Sequence, residues 1–233
     1  MSEAARLLLG TPHACGYLSG REARSAFIDP QFTLNPPRYA ELLKMGFRRS
    51  GAYVYRPACT ACRECRPVRV AVAGFKPGRT QQRCLKHNSD LVLTRSDSLG
   101  EEHFSLYRDY LSARHPTGGM DPEDREAFHS FLECRWGKTE VWDFRTGARL
   151  LATALVDVLP RALSAVYTFF DPAEPSRSLG TLAVLKQIEQ ARIANLDHVY
   201  LGYWVEHSRK MTYKRNFKPL EMLTPQGWQP ADT

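Results

Sequence analysis

The chain lacks any apolar stretch long enough to cross a membrane. Its longest apolar run, Leu150–Leu159, is interrupted by Asp157, and a spanning helix needs about 20 residues. The first residues carry Glu3 where a secretory signal has bases, and their apolar core is only three leucines. We therefore expect a cytoplasmic protein with no membrane partner. In that compartment its six cysteines are thiols or metal ligands rather than disulfides.

Several catalytic motifs are also missing. The sequence has no Ser-His-Asp elbow, no Walker loop and no H-E-x-x-H pair, so no covalent intermediate on the protein is predicted. Acids are scarce in one segment, since Glu64 is the only acid between Phe47 and Lys86. The first hundred residues hold 16 Lys and Arg against 7 Asp and Glu, whereas the remainder has 16 against 18. The net charge of +7 therefore arises in the first hundred residues, which predicts a polyanionic partner.

Three cysteines stand at two-residue gaps inside this basic segment. Cys59, Cys62 and Cys65 need a fourth ligand to form a tetrahedral thiolate site, and Cys15 is the natural candidate. Four thiolates would suit zinc or an iron–sulfur cluster. The alternative is four thiols without a metal, because a single C-x2-C-x2-C run is less specific than two paired knuckles.

A second basic block lies near the C-terminus, from Gly202 to Glu221. Five bases and four aromatic residues are interleaved there, and bases bind phosphates while aromatic rings stack on unpaired nucleobases. Trp204 and Phe217 are equally well explained as core residues. The better candidates for contact with nucleic acid are Tyr203, Lys210, Tyr213 and Lys214.

The order of predicted elements indicates an α+β fold. Strands at Val141–Phe144, Leu150–Leu159 and Leu163–Phe170 form a meander, and a helix from about Gly180 to Asn195 and a strand at His198–Gly202 follow. This order is similar to the core of the GNAT acyltransferases. We expect a basic, cysteine-containing α/β region at residues 1–100 and the GNAT-like part at residues 101–233.

The stretch before the predicted helix departs from the GNAT pattern for coenzyme A. It reads Arg177-Ser-Leu-Gly180-Thr-Leu182, and the leucine stands where a small residue lets the backbone approach a pyrophosphate. Coenzyme A is therefore a less favoured donor. Four ionisable groups are nearest the end of the predicted acyl site and are candidates for a base, although each is as easily a cap or an ion-pair member: Asp157, Asp171, Glu206 and His207.

Ordered motifs along nearly the whole chain carry a family resemblance. They are Cys15-Gly-Tyr-Leu, Arg21-x-x-Arg24-Ser, Gly46-Phe-Arg-Arg-Ser-Gly, Tyr55-Arg-Pro, Cys65-x-Pro-Val-Arg-Val, Phe170-Asp-Pro, Tyr200-Leu-Gly-Tyr-Trp, Lys210-Met-x-Tyr-Lys and Phe217-Lys-Pro-Leu-Glu. The chain resembles the bacterial aminoacyl-tRNA–protein transferases of the aspartate/glutamate leucyltransferase branch, related to the eukaryotic arginyl-tRNA–protein transferases. The eukaryotic branch has further cysteines where this chain has Leu18 and Glu64, so a metal site here would need Cys59 and Cys62 in their place. The same replacements resemble the leucyl branch.

The resemblance implies transfer of leucine from leucyl-tRNA to the α-amine of proteins that begin with Asp or Glu, which marks them for degradation. Arginyl transfer, a coenzyme A-dependent N-acyltransferase and a cysteine-knuckle RNA-binding module are the alternatives. Aminolysis of an activated ester requires no cofactor. On this hypothesis the acceptor acid meets Arg24, Arg48 and Arg49 in the first hundred residues. The aminoacyl end of the tRNA meets Arg177, Tyr203, Lys210, Tyr213 and Lys214, and Asp171 and Glu206 are the candidate catalytic bases.

Overall fold

The computed structural model describes residues 5–114 and 121–231, and that part of the chain contains five α-helices. They are α1 (Pro36–Lys44), α2 (Arg79–His87), α3 (Glu101–Arg114), α4 (Arg125–Leu132) and α5 (Leu179–Ile193). Two short 3₁₀ helices cover Pro175–Arg177 and Thr212–Asn216. Within the described residues, no helix combines the length and apolarity that a membrane crossing demands.

The strands of the described residues form three sheets. They are β1 (Leu7–Leu9), β2 (His13–Ala14), β3 (Glu22–Ala23), β4 (Ser25–Ile28), β5 (Arg48–Ser50), β6 (Tyr53–Pro57), β7 (Arg66–Ala71), β8 (Val92–Ser96), β9 (Thr139–Thr146), β10 (Arg149–Leu159), β11 (Ala162–Phe170), β12 (His198–Trp204), β13 (Leu220–Thr224) and β14 (Gly227–Pro230). The large sheet has the order β14-β13-β7-β12-β11-β10-β9-β8, a smaller sheet has the order β1-β4-β6-β5, and β2 pairs with β3.

The predicted meander is present, and the fold is mixed α/β. β9, β10 and β11 are antiparallel neighbours, and α5 then carries the chain over to β12, which pairs with β11 in parallel. A parallel pair requires such a crossover, because the chain must return to the same end of the sheet. The order of elements predicted for the second half of the sequence is therefore confirmed.

The large sheet does not follow the predicted boundary at residue 100. β7 lies between β12 and β13, and β8 forms the edge beside β9, although both strands come from the first hundred residues. The first hundred residues thus complete the sheet of the second part. The smaller sheet, β1-β4-β6-β5, is built wholly from the N-terminal region.

Three apolar clusters hold helices against the large sheet. One joins α5 and Cys84 of α2 to Ala154 and Val156 of β10. A second joins α3 and α4 to Leu155, which lies between Ala154 and Val156 on β10. Since alternate residues of a strand point to opposite faces, these helices cover opposite faces of the sheet. A third cluster packs α1 and the smaller sheet against Leu159 and Tyr200, so the N-terminal region covers the same sheet near β12.

Asn35 followed by Pro36 predicts the cap and first residue of a helix from sequence alone, and α1 begins there in the structure. The Asn35 side chain accepts a hydrogen bond from the Arg38 amide at 2.9 Å, and prolines occupy the first helical positions, where a missing amide is harmless. Asp121-Pro-Glu-Asp likewise predicts a helix capped by Asp121, but this start is wrong by about one turn. Asp121 instead accepts from the Glu123 amide, and Asp124 caps α4 by accepting from the Ala127 amide at 2.8 Å.

Candidate active site

The parallel pair of β11 and β12 opens into a fork. Their register runs only from Ala162 opposite His198 to Ser164 opposite Tyr200, although both strands continue beyond that point. The pairing of β11 with β10 shifts near Val166, and the pairing of β12 with β7 shifts beside Gly202. Bulges bend a strand and end its pairing. The two strands therefore separate and leave backbone carbonyls of β11 without a neighbouring strand.

Arg48 fills the apex of this fork. Its Nη2 donates to the carbonyl oxygens of Ala165 and Val166 at 2.9 and 3.1 Å. Gly202 faces the same guanidinium so closely that a Cβ there would lie 1.5 Å from Nη1. Gly202 also has φ +76°, a conformation that side chains rarely adopt. Two constraints therefore require the glycine of the Tyr200-Leu-Gly-Tyr-Trp motif: its backbone conformation and the space that the Arg48 guanidinium occupies.

Lys214 is a second cation buried at the fork. It projects from the 3₁₀ helix Thr212–Asn216, is only 5% exposed, and donates through Nζ to the carbonyl oxygen of Tyr203. Burial, and then the nearby charge of Arg48, lower the pKa of Lys214 well below its ordinary value. In the part of the chain that the structure describes, neither Lys214 nor Arg48 has a carboxylate partner.

Phenol side chains surround the two cations. Four tyrosines lie close enough to Arg48 to raise its pKa electrostatically: Tyr17, Tyr39, Tyr55 and Tyr203. Burial, the largest effect, raises the pKa of Tyr17 to about 12, so its hydroxyl stays protonated at neutral pH. Neutral phenols supply hydrogen bonds without cancelling the positive charge. The fork is therefore a polar, positively charged site.

Two residues predicted to bind the aminoacyl end have other roles here. Tyr203 is 3% exposed and donates through its hydroxyl to the Gly46 carbonyl at 2.9 Å, so it packs the fork and cannot stack on a base. Lys214 is enclosed, as described above, and is not a surface contact for phosphate. Tyr213 remains 41% exposed beside it, with its ring edge toward Phe217, and Lys210 is exposed on the loop after β12.

Arg49 does not face the fork, and its assignment to the acceptor is corrected. The side chain is 4% exposed and forms a two-point ion pair with Asp157, both contacts at 2.8 Å. Its other donors reach the carbonyls of Gly51 and Leu132 and the hydroxyl of Thr139. All three of its guanidinium nitrogens donate within the protein, so Arg49 stabilises the fold, and Asp157 is its partner rather than a base.

Arg177 and Asp171 are also held in ion pairs. Arg177 contacts Asp90 at 2.9 and 3.0 Å and Glu174 at 3.4 Å, which neutralises the charge proposed for a phosphate. Asp171 accepts from Arg149 at 2.6 Å and caps a turn through the Ala173 amide. Neither assignment from the sequence agrees with these contacts. Of the two predicted bases, Glu206 is the one left exposed, on the loop that follows β12.

Arg24 lies apart from the two cations of the fork. It is half-buried, and its Nε donates to the Gly10 carbonyl at 2.8 Å. Its own carbonyl oxygen receives the Cys59 thiol at 3.8 Å and the Ala58 amide at 2.7 Å. The remaining guanidinium nitrogens make no hydrogen bond with the described residues, so Arg24 stays a prediction for the acceptor.

The four predicted cysteine ligands gather in one region without forming a metal cage. Burial, followed by the nearby thiols Cys15, Cys59 and Cys62, raises the pKa of Cys65 to about 12. Zn–S bonds of about 2.3 Å place four sulfur atoms roughly 3.8 Å apart. Among the described residues, the only group of three His, Cys, Asp or Glu ligand atoms within 4.8 Å of one another is Glu102, His103 and Asp143. The thiols as placed do not fit zinc or a cluster.

A small cavity lies between these cysteines and Tyr203. Its volume is about 160 Å³, and Gly46, Arg56 and Cys65 contribute to its wall. Ligand pockets typically measure about 300–1,000 Å³, so this cavity cannot enclose a nucleoside. The fork is the better candidate for the reaction.

Sequence reasoning missed the residues that shape the fork. Tyr55 lies opposite Arg48 where β5 pairs with β6, whereas Tyr39 of α1 and Tyr17 approach Arg48 through tertiary packing. The one local signal was the glycine between Leu201 and Tyr203, because glycine inside a strand often marks a bulge or a close approach.

Comparisons with known proteins agree with this architecture. The family described as "Arginine-tRNA-protein transferase, C terminus" matches residues 102–224, and its N-terminus counterpart matches residues 13–83. The aspartate/glutamate leucyltransferase of Teredinibacter turnerae is 48% identical over 97% of this chain and 94% of its own length. That of Alcanivorax borkumensis is 47% identical over 93% and 90%, and that of Saccharophagus degradans is 45% identical over 96% and 95%.

Solved structures show weaker likeness. FemX has a TM-score of 0.48 at 8% identity, over 77% of this chain and 64% of its own. L-PGS from Bacillus licheniformis has a TM-score of 0.46 at 9% identity, over 72% of this chain and 50% of its own. The two family matches span most of the described chain, and three relatives are above 40% identity at nearly full length. The chain therefore belongs to the arginine-tRNA-protein transferase family and is an aminoacyl-tRNA–protein transferase.

Proposed function

We propose that this enzyme transfers leucine from leucyl-tRNA to the α-amine of proteins that begin with Asp or Glu, and so marks them for degradation. The names of its relatives support this donor and these acceptors. The observation that carries the proposal is the fork itself, where half-buried Arg48 and buried Lys214 lie together without a carboxylate partner among the described residues. Such a site is complete only when an anion enters it.

The acceptor's side-chain carboxylate is the anion that fits. Nη2 of Arg48 donates to two carbonyl oxygens, whereas its Nη1 and Nε donate to no described residue. An incoming carboxylate at Arg48 also favours the charged form of Lys214, whose pKa is lowered by burial and by Arg48. Two cations then share one anion. A neutral Asn or Gln would leave both positive charges uncompensated, which explains selection of acidic N-terminal residues.

The transfer step needs little from the protein beyond position. The acceptor amine, with a pKa near 8, attacks the ester carbonyl on the terminal ribose; the C–N bond forms and the C–O bond breaks. The ribose oxygen leaves with a proton, and the attacking nitrogen loses one. Exposed Glu206, on the loop after β12, is our candidate to accept that proton. Tyr213 and Lys210 are our candidates for the terminal adenine and its phosphates.

The GNAT-like identity of the core is part of this proposal. It is supported by the crossover through α5 and by the fork between β11 and β12. Coenzyme A is disfavoured as the donor, because Arg177, the arginine of the coenzyme A pattern, is paired with Asp90. We propose that no cofactor is required and that the reaction occurs in the cytoplasm.

Peptide selectivity tests the proposal. Leucyl-tRNA and arginyl-tRNA are offered with peptides that differ only in Asp or Asn at the first position, and products are identified by mass. We expect leucine, and rapid transfer only to the Asp peptide, with at most slow transfer to the Asn peptide. Arg48→Gln should lower kcat/KM for the Asp peptide about 10- to 100-fold, since a charged hydrogen bond is worth about 1.5–3 kcal/mol, and should leave the slow rate on the Asn peptide unchanged.

The matched control is Arg161→Gln, which removes an exposed arginine paired with Asp197 at the turn between β10 and β11, at the other end of β11 from the fork. It should change neither rate. Transfer of arginine instead of leucine would reject the donor. A defect of Arg48→Gln that appears only when charged tRNA is varied would reject the role of Arg48 in acceptor recognition.

A further inference from the structure

The helix α2 presents an unpaired basic face. Arg79 and Arg83 are one helical turn apart, and Lys86 follows at the next turn, so the three side chains share one side of the helix. All three are exposed, and none contacts a carboxylate among the described residues. The opposite side of α2 is buried through Gln81 and Cys84. The direction of the basic face is therefore fixed outward.

The 3₁₀ helix Thr212–Asn216 packs against the buried side of α2. Gln81 donates through Nε2 to the Asn216 carbonyl at 3.0 Å, and the rings of Phe75 and Phe217 stack with centroids 6.3 Å apart. Two further exposed cations therefore lie on segments joined to α2, Lys76 just before the helix and Arg215 on the 3₁₀ helix. We call these five cations the α2 ridge: Lys76, Arg79, Arg83, Lys86 and Arg215.

The absence of acids distinguishes the α2 ridge from other basic positions. No Asp or Glu occurs between Lys76 and His87 or between His207 and Pro219. Some exposed arginines elsewhere on the surface are neutralised by neighbouring acids, as Arg125 is by Glu101 and Arg161 is by Asp197. A cluster of uncompensated cations attracts a polyanion rather than a single carboxylate.

The 3₁₀ helix joins the α2 ridge to the fork. Lys214 points from it into the fork beside Arg48, whereas the next residue, Arg215, is exposed on the ridge. A nucleic acid whose terminal nucleotide reaches the fork would thus have its backbone close to α2. The inference about α2 rests on the proposed function, because it requires the aminoacyl end of a charged tRNA to enter the fork.

We propose that the α2 ridge binds the sugar–phosphate backbone of the acceptor stem of the donor tRNA. α2 has no Phe, Tyr or Trp that could stack on an unpaired base, so the ridge is suited to the phosphates of the backbone. It positions the stem, and the fork receives the aminoacyl end. The part of the basic N-terminal region in α2 therefore serves the donor, although the sequence assigned that region to the acceptor.

Direct binding at several salt concentrations tests this proposal. The Arg79→Ala, Arg83→Ala double variant is compared with the parent protein for affinity to uncharged tRNA. Each phosphate that is no longer neutralised should reduce the slope of log affinity against log salt by about 0.7–0.9, so the slope should fall by about 1.5 in the double variant. Peptide KM and the Asp-over-Asn preference at saturating leucyl-tRNA should equal those of the parent. Arg125→Ala, which removes an exposed arginine from an ion pair, is the matched control and should keep the parental slope.

The outcomes separate this proposal from the proposed function. A parental slope in the folded double variant overturns the ridge, whatever amino acid is transferred. A reduced slope supports the ridge, including the case in which the parent protein binds tRNA but transfers no leucine, which would reject the proposed function alone. Arg79→Lys, Arg83→Lys should restore the slope if phosphate charge is what the ridge recognises.

Discussion

The role of each residue at the fork is determined by tertiary contacts that cannot be read from the sequence. Arg48 and Arg49 are adjacent on β5, and both were plausible partners for a carboxylate. Because alternate residues of a strand face opposite sides, one enters the fork and the other enters a buried ion pair with Asp157. The motif indicated that arginines matter here. Only the packing of β5 on the large sheet separates the functional residue from the structural one.

Gly202→Ala should displace the Arg48 side chain from the fork. The new Cβ would lie 1.5 Å from Nη1 and 2.3 Å from Cζ, so the guanidinium must leave the fork. We expect kcat/KM for an Asp peptide to fall at least as far as in Arg48→Gln. Gly147→Ala is the control, because Gly147 also has positive φ (+56°) but open space around it. It shares the backbone strain of about 1–2 kcal/mol and should retain activity. Parental activity in Gly202→Ala would show that Arg48 acts elsewhere.

Lys214→Met should stabilise the protein while weakening transfer. Burial first, and Arg48 second, lower the pKa of Lys214 in the folded state. Between this lowered pKa and the unfolded pKa near 10.4, the unfolded chain binds a proton that the folded chain does not, so stability declines as pH falls through that interval. Methionine removes this penalty. The unfolding free energy should rise by about 1–2 kcal/mol at pH 7 and the gain should shrink above pH 10.

Denaturant unfolding at pH 7 and at about pH 10.5 measures this gain, and peptide assays follow transfer in parallel. A loss of stability at both values would show that the hydrogen bond from Nζ to the Tyr203 carbonyl outweighs the cost of burying the charge. Full activity in a stabilised variant would remove Lys214 from acceptor recognition.

Elements were predicted well where periodicity and caps agreed. The cap at Asn35 predicts α1, apolar residues at helical spacing predict α3, and apolar runs bounded by turn residues predict α5 and β9 to β12; the structure confirms these elements. α2 was missed because its sequence, Arg79 to His87, has little apolar signal, and its burial depends on α5 and on Asn216. The short strands of the smaller sheet were only partly recognised, because three or four residues are too few to show a period.

Asn35→Ala should destabilise the element that supplies Tyr39. Asn35 satisfies the Arg38 amide at the start of α1, and loss of such a cap costs about 1 kcal/mol. α1 buries Tyr39, Leu42 and Leu43 against the large sheet, so the loss should appear as a lower midpoint of denaturant unfolding. Asn35→Ser, which retains a capping oxygen, should stay within a few tenths of the parent. Equal destabilisation by Ala and Ser would mean that the side chain serves packing instead of capping.

At the scale of the whole molecule, positive charge is organised by pairing. Several arginines of the second half are matched with acids on neighbouring elements, as in the ion pairs of Arg145 with Glu102 and Arg149 with Asp171. The fork and the α2 ridge keep cations without such partners among the described residues. Overall composition predicted a polyanionic partner. It could not predict where the uncompensated charge lies, because that depends on which acids the fold brings within reach.

The paired acids also determine the response of the fold to acid. Hydrogen bonds from arginines lower the pKa of Asp90, Glu101, Glu102 and Asp197. Asp143 is the buried member of this set, where α3 meets β9 and β10. Burial alone would raise the pKa of Asp143, but hydrogen bonds from His103, Thr153 and Arg145 outweigh it and lower the pKa.

Asp143→Asn should therefore lower the free energy of unfolding least at acidic pH. A folded-state pKa below the unfolded value near 3.9 gives stability that is complete above about pH 5 and is lost as pH falls through the folded pKa. Asn retains the shape without the charge, so the difference in unfolding free energy should be about 2 kcal/mol at pH 7 and should narrow below pH 4. Asp90→Asn, on an exposed ion pair, should change stability little at any pH. A difference for Asp143→Asn that is independent of pH would mean that the neighbours of Asp143 do not hold its charge, and the link between α3 and the sheet would then rest on packing alone.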